Sequence, residues 1–286
     1  MTAELFAQLL VNGLAIGLIY VLVASGLIIL LGVVRIFNFA HAEFYMLGAF
    51  ITFGACEILH LNFFFSIAIA VVVVTILGAL SYRFIFRSLR GDILLCTGAS
   101  IGLSMILMRG ALLGFGTQER GLHPPFPGNF GIGFVTLPAE KVIAIALCLA
   151  VMLGLYFLLM RTKIGKAMRA VKQDTEVAAL QGINTNKIYL IAFASACALA
   201  GLAGGIVAPV FSVTPAMGHN IFLKCLMVLT VGGMQSMLGG VIGGVVVGLI
   251  TSFGMFYMGG LTEILIFGII GVILAFKPFG VFGVPH

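Results

Sequence analysis

Residues 161–187 read RTKIGKAMRAVKQDTEVAALQGINTNK, a polar stretch set between two apolar runs. It holds Arg161, Lys163, Lys166, Arg169, Lys172 and Lys187, with Asp174 and Glu176 among them. Asp174 is placed to cap a helix, because its carboxylate can accept from the free N–H groups of a first turn, and Gly182 is placed to stop one. Val177, Leu180 and Ile183 recur at spacing three, which predicts a short helix with one apolar stripe. About seven residues span only about 10 Å and would not hold as a helix alone. Two readings stand on the residues themselves: a basic cytoplasmic loop that fixes membrane orientation, or a helix that docks against a soluble partner.

The surroundings decide the fold class. The 286 residues are 62% hydrophobic and 8% charged, against about 25% charged for an ordinary soluble domain. So few charges cannot cover a soluble surface, and several runs reach the roughly 20 residues that cross about 30 Å of hydrocarbon. With 38 glycines and little strand-like alternation, helices rather than a barrel must satisfy the backbone. The chain reads as an all-α polytopic helical bundle.

Nine apolar runs follow in order: 5–31, 37–59, 63–82, 93–115, 141–160, 188–207, 221–235, 238–258 and 261–276. The first run has no basic segment before it and is too long for a cleaved leader, so it is expected to stay as a span. The run 221–235 is short for a span, so eight or nine transmembrane helices are expected. The Gly- and Pro-rich residues 116–138, with His123-Pro124-Pro125-Phe126-Pro127-Gly128, predict an external loop. Placing 161–187 in the cytoplasm and alternating outward puts Arg35, Arg83, Arg87, Arg90, Arg161, Lys163, Lys166, Arg169, Lys172, Lys187 and Lys277 inside. Those are eleven of the fifteen basic residues, an asymmetry that sets the C-terminus in the cytoplasm.

Chemistry-bearing residues are few. Asn38, His41 and Glu43 open the second run, and ionisable groups at membrane depth are costly enough to be paired inside the bundle or kept for function. His41 and Glu43 are two apart, so a regular helix points them to different sides, while Asn38 could cap that helix with Glu43 in its first turns. Structural bonding and a pathway or gating role both remain open for the three. Glu57 and Glu263 read as interfacial. Gly201, Gly204, Gly205, Gly240, Gly244 and Gly248 give the last third rows of small residues for close helix packing, and Gly232-Gly233 could instead break a helix onto a path. Cys56, Cys96, Cys148, Cys197 and Cys225 read as buried apolar residues, with no metal site expected. The H-x-E of His41 to Glu43 lacks a P-C-x-x-C partner, and neither H-E-x-x-H nor a phosphate-binding G-x-x-x-x-G-K-[ST] occurs. No enzyme is expected, and uphill work would need another subunit.

Several stretches together resemble one family, the membrane permeases of bacterial branched-chain amino acid ABC importers, and within it the H-type subunit. Asn38-Phe39-Ala40-His41-Ala42-Glu43-Phe44-Tyr45-Met46-Leu47-Gly48-Ala49 is similar to the family's N-F-A-H-G-E-F-Y-M-L-G-A, with Ala42 in place of a glycine. Glu176, Ala178 and Gly182 keep the outline of the E-A-A-x-x-x-G coupling segment, with Val177 in its second position. Val231-Gly232-Gly233-Met234-Gln235-Ser236 resembles G-G-M-G-S, and Lys277-Pro278-Phe279-Gly280-Val281-Phe282-Gly283 resembles R-P-x-G-L-F-G.

The resemblance implies a single permease domain over 1–286 in the bacterial inner membrane. Its implied partners are a second homologous permease, two cytoplasmic ATPases that use ATP and magnesium, a periplasmic binding protein and membrane lipid. No nucleic acid is expected, and no cofactor is held by this chain. It makes 161–187 the coupling loop, with Asp174, Glu176, Val177, Ala178, Leu180 and Gly182 at the ATPase contact. The alternative is a secondary transporter or channel for a small polar solute such as urea or an amide.

Overall fold

The computed structural model describes residues 3–123, 125–126, 128–132 and 135–277. The elements are α1 (Ala3–Ile29), α2 (His41–Phe53), α3 (Phe63–Ser81), α4 (Arg87–Leu89), α5 (Ile93–Phe115), β1 (Asn129–Ile132), β2 (Val135–Pro138), α6 (Ala139–Arg161), α7 (Lys163–Gln173), α8 (Thr175–Leu180), α9 (Thr185–Val207), α10 (Met217–Gly232), α11 (Met237–Met258) and α12 (Thr262–Phe276). Wider π turns extend α1 through Leu30–Val34, α2 through Gly54–Ile58 and α3 through Tyr82–Phe86.

Each of the nine apolar runs forms a helix. Six helical segments among the described residues are long and apolar enough to cross a membrane: Ala3–Val34, Phe63–Leu89, Ile93–Phe115, Ala139–Arg161, Thr185–Val207 and Met237–Ile273. The last is two helices, because the chain breaks at Gly259 and Thr262 starts α12 packed against Gly254. The short run 221–235 becomes α10, whose 16 residues rise about 24 Å and fall short of a full span. The 13 residues of α2 are nearly all buried.

The centre of the bundle is α9, packed against α2 and α3, which also pack on each other. It runs parallel to α2, since Gly48 lies on the backbone of Gly201 and Thr52 on Gly205. Its path is antiparallel to α3, where Gly78 meets Cys197 and Val74 meets Gly201. Without side chains at Gly48 and Gly201 the two backbones touch, which packs helices that gain nothing from hiding apolar surface from lipid. On the other side α1 and α11 cross antiparallel, with Gly13 on Leu249, Gly17 on Gly244 and Gly240 against Ile28.

Two ends result. At one, Gln8 at the start of α1 exchanges bonds with Thr136 of β2, its Nε2 donating to the carbonyl at 2.9 Å. The β1–β2 hairpin pairs Asn129 with Pro138 and Ile132 with Val135, a short antiparallel ribbon that the Gly- and Pro-rich composition did not reveal. At the other end lie α7 and α8, and the structure brings basic residues there from distant runs. Arg35 Nη2 donates to the Lys172 carbonyl at 3.3 Å, and Arg90 Nη1 donates to Asn186 Oδ1 at 2.9 Å while lying over the Tyr189 ring.

Candidate transport site and coupling loop

The loop 161–187 is two helices, not one. Thr162 caps α7, accepting from Gly165 N–H at 3.0 Å, and Gly165, Met168 and Val171 turn inward at helical spacing while Lys163 and Lys166 face out. That spacing was available in the sequence but is masked there by the density of charge. Asp174 then caps α8 as expected, its Oδ1 accepting from Glu176 N–H at 2.8 Å and Val177 N–H at 3.0 Å. The stop at Gly182 is also as expected: with φ +80 it lets its own N–H reach Ala179 O at 3.0 Å and Ile183 N–H reach Ala178 O at 3.1 Å. That reversal corrects the expected stripe. Ile183 lies beyond it and packs on the core, so only Val177 (52% exposed) and Leu180 (85%) form the outer apolar face, with Ala178 turned inward. Glu176 is exposed beside them.

This pair of helices is tied to the bundle by polar bonds. Lys172 Nζ donates to the Gln235 carbonyl at 2.9 Å, in the turn between α10 and α11, and Arg169 donates to the Leu159 carbonyl at the end of α6. With Arg35 on the Lys172 carbonyl, α7 touches the ends of α1, α6 and α11. Partial burial there holds the Lys172 amine below the usual lysine range.

Deep in the bundle, Asn38, His41 and Glu43 are almost fully buried. Asn38 does not cap α2; Ala40 occupies that position, and Asn38 Oδ1 instead accepts from Ala40 N–H at 3.0 Å, closing the turn that leads in. His41 Nε2 donates to Val23 O of α1 at 3.1 Å, and its ring lies against Gly26. Glu43, in the first turn, faces the other way and accepts through Oε1 from Ser104 Oγ of α5 at 3.1 Å. Its Oε2 lies on Gly218 at the start of α10, and the two residues therefore do not meet, as their spacing predicts. Asn38 Nδ2, His41 Nδ1 and Glu43 Oε2 have no hydrogen-bond partner among the described residues. Around them Phe37, Phe39 and Phe222 cluster with ring centres 4.9–6.2 Å apart, and Ser100 Oγ accepts from Phe39 N–H at 3.1 Å. Ser100, Ser104, Gly218 and Phe222 carried no signal in the sequence, because what brings them to Glu43 is tertiary packing.

The two glycines Gly232 and Gly233 sit at the opposite end of α10 from Glu43. Gly232 packs on the Gly239 carbonyl and Gly233, at φ +95, ends the helix, so they form a close turn between α10 and α11. Among the interfacial acids, Glu57 accepts from His123 N–H at 2.8 Å, and Glu263 pairs with the buried Lys224 at 3.0 Å. No three His, Cys, Asp or Glu side chains group as metal ligands among the described residues. The closing stretch Lys277 to Gly283 lies outside the described residues beyond Lys277.

The sequence has clear relatives. A high-affinity branched-chain amino acid transport system permease protein, BraD, of Pseudomonas aeruginosa is 30% identical over 98% of this chain and 97% of its own length. LivH of Escherichia coli, named for the same system, is 28% identical over 98% and 96%. A probable branched-chain amino acid transport permease protein, LivH, of Methanocaldococcus jannaschii is 27% identical over 92% and 88%. No solved structure matches the chain significantly. The family described as branched-chain amino acid transport system / permease component matches residues 9–274. The family match over most of the chain and the relatives along its whole length make it a transport component, and the chain belongs to that permease family.

Proposed function

We propose that this chain is one membrane half of an ATP-driven importer of branched-chain amino acids in a bacterial inner membrane, its C-terminus in the cytoplasm. A periplasmic protein delivers substrate, two cytoplasmic ATPases hydrolyse ATP with magnesium, and a second related permease completes the pathway. Relatives along the whole chain carry that substrate in their names, and nothing in them favours a channel or secondary transporter. The observation that carries the reading is α8: a helix capped at both ends that turns Val177 and Leu180 outward, on the basic side of the bundle.

The hypothesised mechanism is a rigid lever. ATPase closure pushes on Glu176, Val177 and Leu180, and α7 passes the push to α1, α6 and α11 through Arg35, Arg169 and Lys172. Asn38, His41 and Glu43 are the proposed gate, with unpartnered polar atoms available when α1, α5 and α10 shift. The face of α5 that carries exposed Arg109 and the unpacked Gly98, Gly102, Gly110 and Gly114 is the proposed seat of the second permease. Residues 116–138 are the proposed external loop.

The test is cross-linking from a cysteine at Leu180 to the ATPase, with leucine uptake measured in Leu180→Glu. Leu180 is 85% exposed, so the variant should fold normally yet lose uptake. No cross-link, or normal uptake in Leu180→Glu, reduces 161–187 to a topology anchor.

A further inference from the structure

Beside the lever lies a groove of about 490 Å3 between α1, α6, α7 and α11, unconnected with the Glu43 cluster. Its walls are apolar, with Ile29, Met152, Leu153, Leu159 and Val241 among them. At the α7 end the lining changes to Arg169, Lys172 and Gln235, and no acidic residue lines it. α1 and α6 end at this level with Arg35 and Arg161, and α11 begins there under the Ser236 cap. The two cations therefore stand where helices leave the hydrocarbon, with the apolar trough running inward from them.

Arg169 and Lys172 donate to neutral carbonyls, Leu159 and Gln235, so neither has its charge balanced. The ion pairs found among the described residues are Glu57 with His123 and Lys224 with Glu263, and neither involves them. Arg161, Lys163 and Lys166 on the same segment strengthen the positive field. An occupant must therefore be anionic at the rim and apolar along its length. A soluble anion meets only the first demand and a neutral lipid only the second.

We propose that this groove is a binding site for an anionic phospholipid, whose phosphate sits between Arg169 and Lys172 and one of whose acyl chains fills the trough. Basic pockets between spans on the cytoplasmic side take such headgroups by the same electrostatics. The lipid joins α6, which is otherwise packed over only a small part of its surface, to α1 and α11. Binding stands on the groove alone; an effect on uptake rests on the lever reading above.

The experiment uses the complete purified transporter, delipidated and titrated with phosphatidylglycerol or phosphatidylcholine, with retained lipid counted by native mass spectrometry. Wild type should hold one phosphatidylglycerol in preference to phosphatidylcholine. A basic residue at an anionic leaflet is worth about fivefold in affinity, so Arg169→Gln with Lys172→Gln should weaken retention about thirtyfold. Leu153→Trp keeps both cations but fills the trough, and Leu153 is 64% exposed, so that variant folds and should lose the lipid too. Lys163→Gln, on the outer face of α7, should keep it. Equal retention of both lipids, displacement by inorganic phosphate, or full retention in Leu153→Trp would each overturn the proposal. Loss of lipid with intact uptake would leave the site standing and separate it from the lever.

Discussion

Gly48→Ala tests the packing on which the buried polar cluster depends. A methyl at Gly48 would sit 2.6 Å from Gly201 Cα and 2.7 Å from its carbonyl carbon, against about 3.5–4.0 Å for carbon atoms in contact. Relief requires α2 and α9 to part by about 1 Å, and the obstacle is backbone, which cannot rotate aside. Gly204 against the Tyr45 carbonyl blocks a compensating slide. Overpacking of this kind costs about 1–3 kcal/mol, and the upper half of that range applies where no side chain can give way. At about 2 °C per kcal/mol for a chain of this length, the melting temperature in detergent should fall by about 4–6 °C. Gly102→Ala on α5 is the control: nothing lies within 4 Å of it, and alanine favours a helix over glycine by about 0.5–1 kcal/mol. Melting followed by fluorescence-detected gel filtration should separate the two. Equal melting of both variants, or an unshifted Gly48→Ala, would refute the claim that the α2–α9 contact is glycine-dependent.

Removing the cap with Asp174→Ala frees two N–H groups and should cost α8 about 1 kcal/mol, lowering uptake while Asp174→Asn retains most of it; uptake at matched membrane expression is the measure. Glu43→Gln keeps the shape and an acceptor for Ser104 but removes the ionisable carboxyl, so uptake should fall with the melting temperature held, whereas Ser104→Ala should be milder on uptake. Lys224 is buried and its partner Glu263 is mostly exposed, so Glu263→Gln strands a buried cation and should lower the melting temperature more than Lys224→Met does. Gly102→Leu should leave the isolated chain stable but reduce co-purification of the second permease.

What the sequence disclosed was mostly local. The nine runs, the Asp174 cap and the Gly182 stop each depend on residues within one turn of one another, and each is found where the residues put it. Asn38 shows the limit even of local reading. An asparagine three residues before a helix satisfies an N–H either as a cap or within the preceding turn, and Phe39 and Ala40 decide for the turn. α7 was hidden because its inward residues, Gly165, Met168 and Val171, are interleaved with four cations, of which Lys163 and Lys166 are exposed while Arg169 and Lys172 fold back onto the bundle.

Pairings across the bundle were not legible, and the glycines show why. Gly240, Gly244 and Gly248 on α11 and the pairs Gly98 with Gly102 and Gly110 with Gly114 on α5 share a spacing of four, so the sequence pattern treats them alike. In the structure Gly240 meets Ile28 and Gly244 and Gly248 meet α1, while the four on α5 have nothing near them. Small residues permit approach; which helix approaches is set by the rest of the fold. Glu43 poses the same problem, since its partner Ser104 lies 61 residues away on that same loosely held helix. The carboxylate is thus fixed on one side by the rigid α2–α9 pair and on the other by the element most exposed to a partner. On the proposal that a second permease binds along α5, it would move Ser104 relative to Glu43, and the Glu43 to Ser104 bond would then carry assembly to the buried cluster.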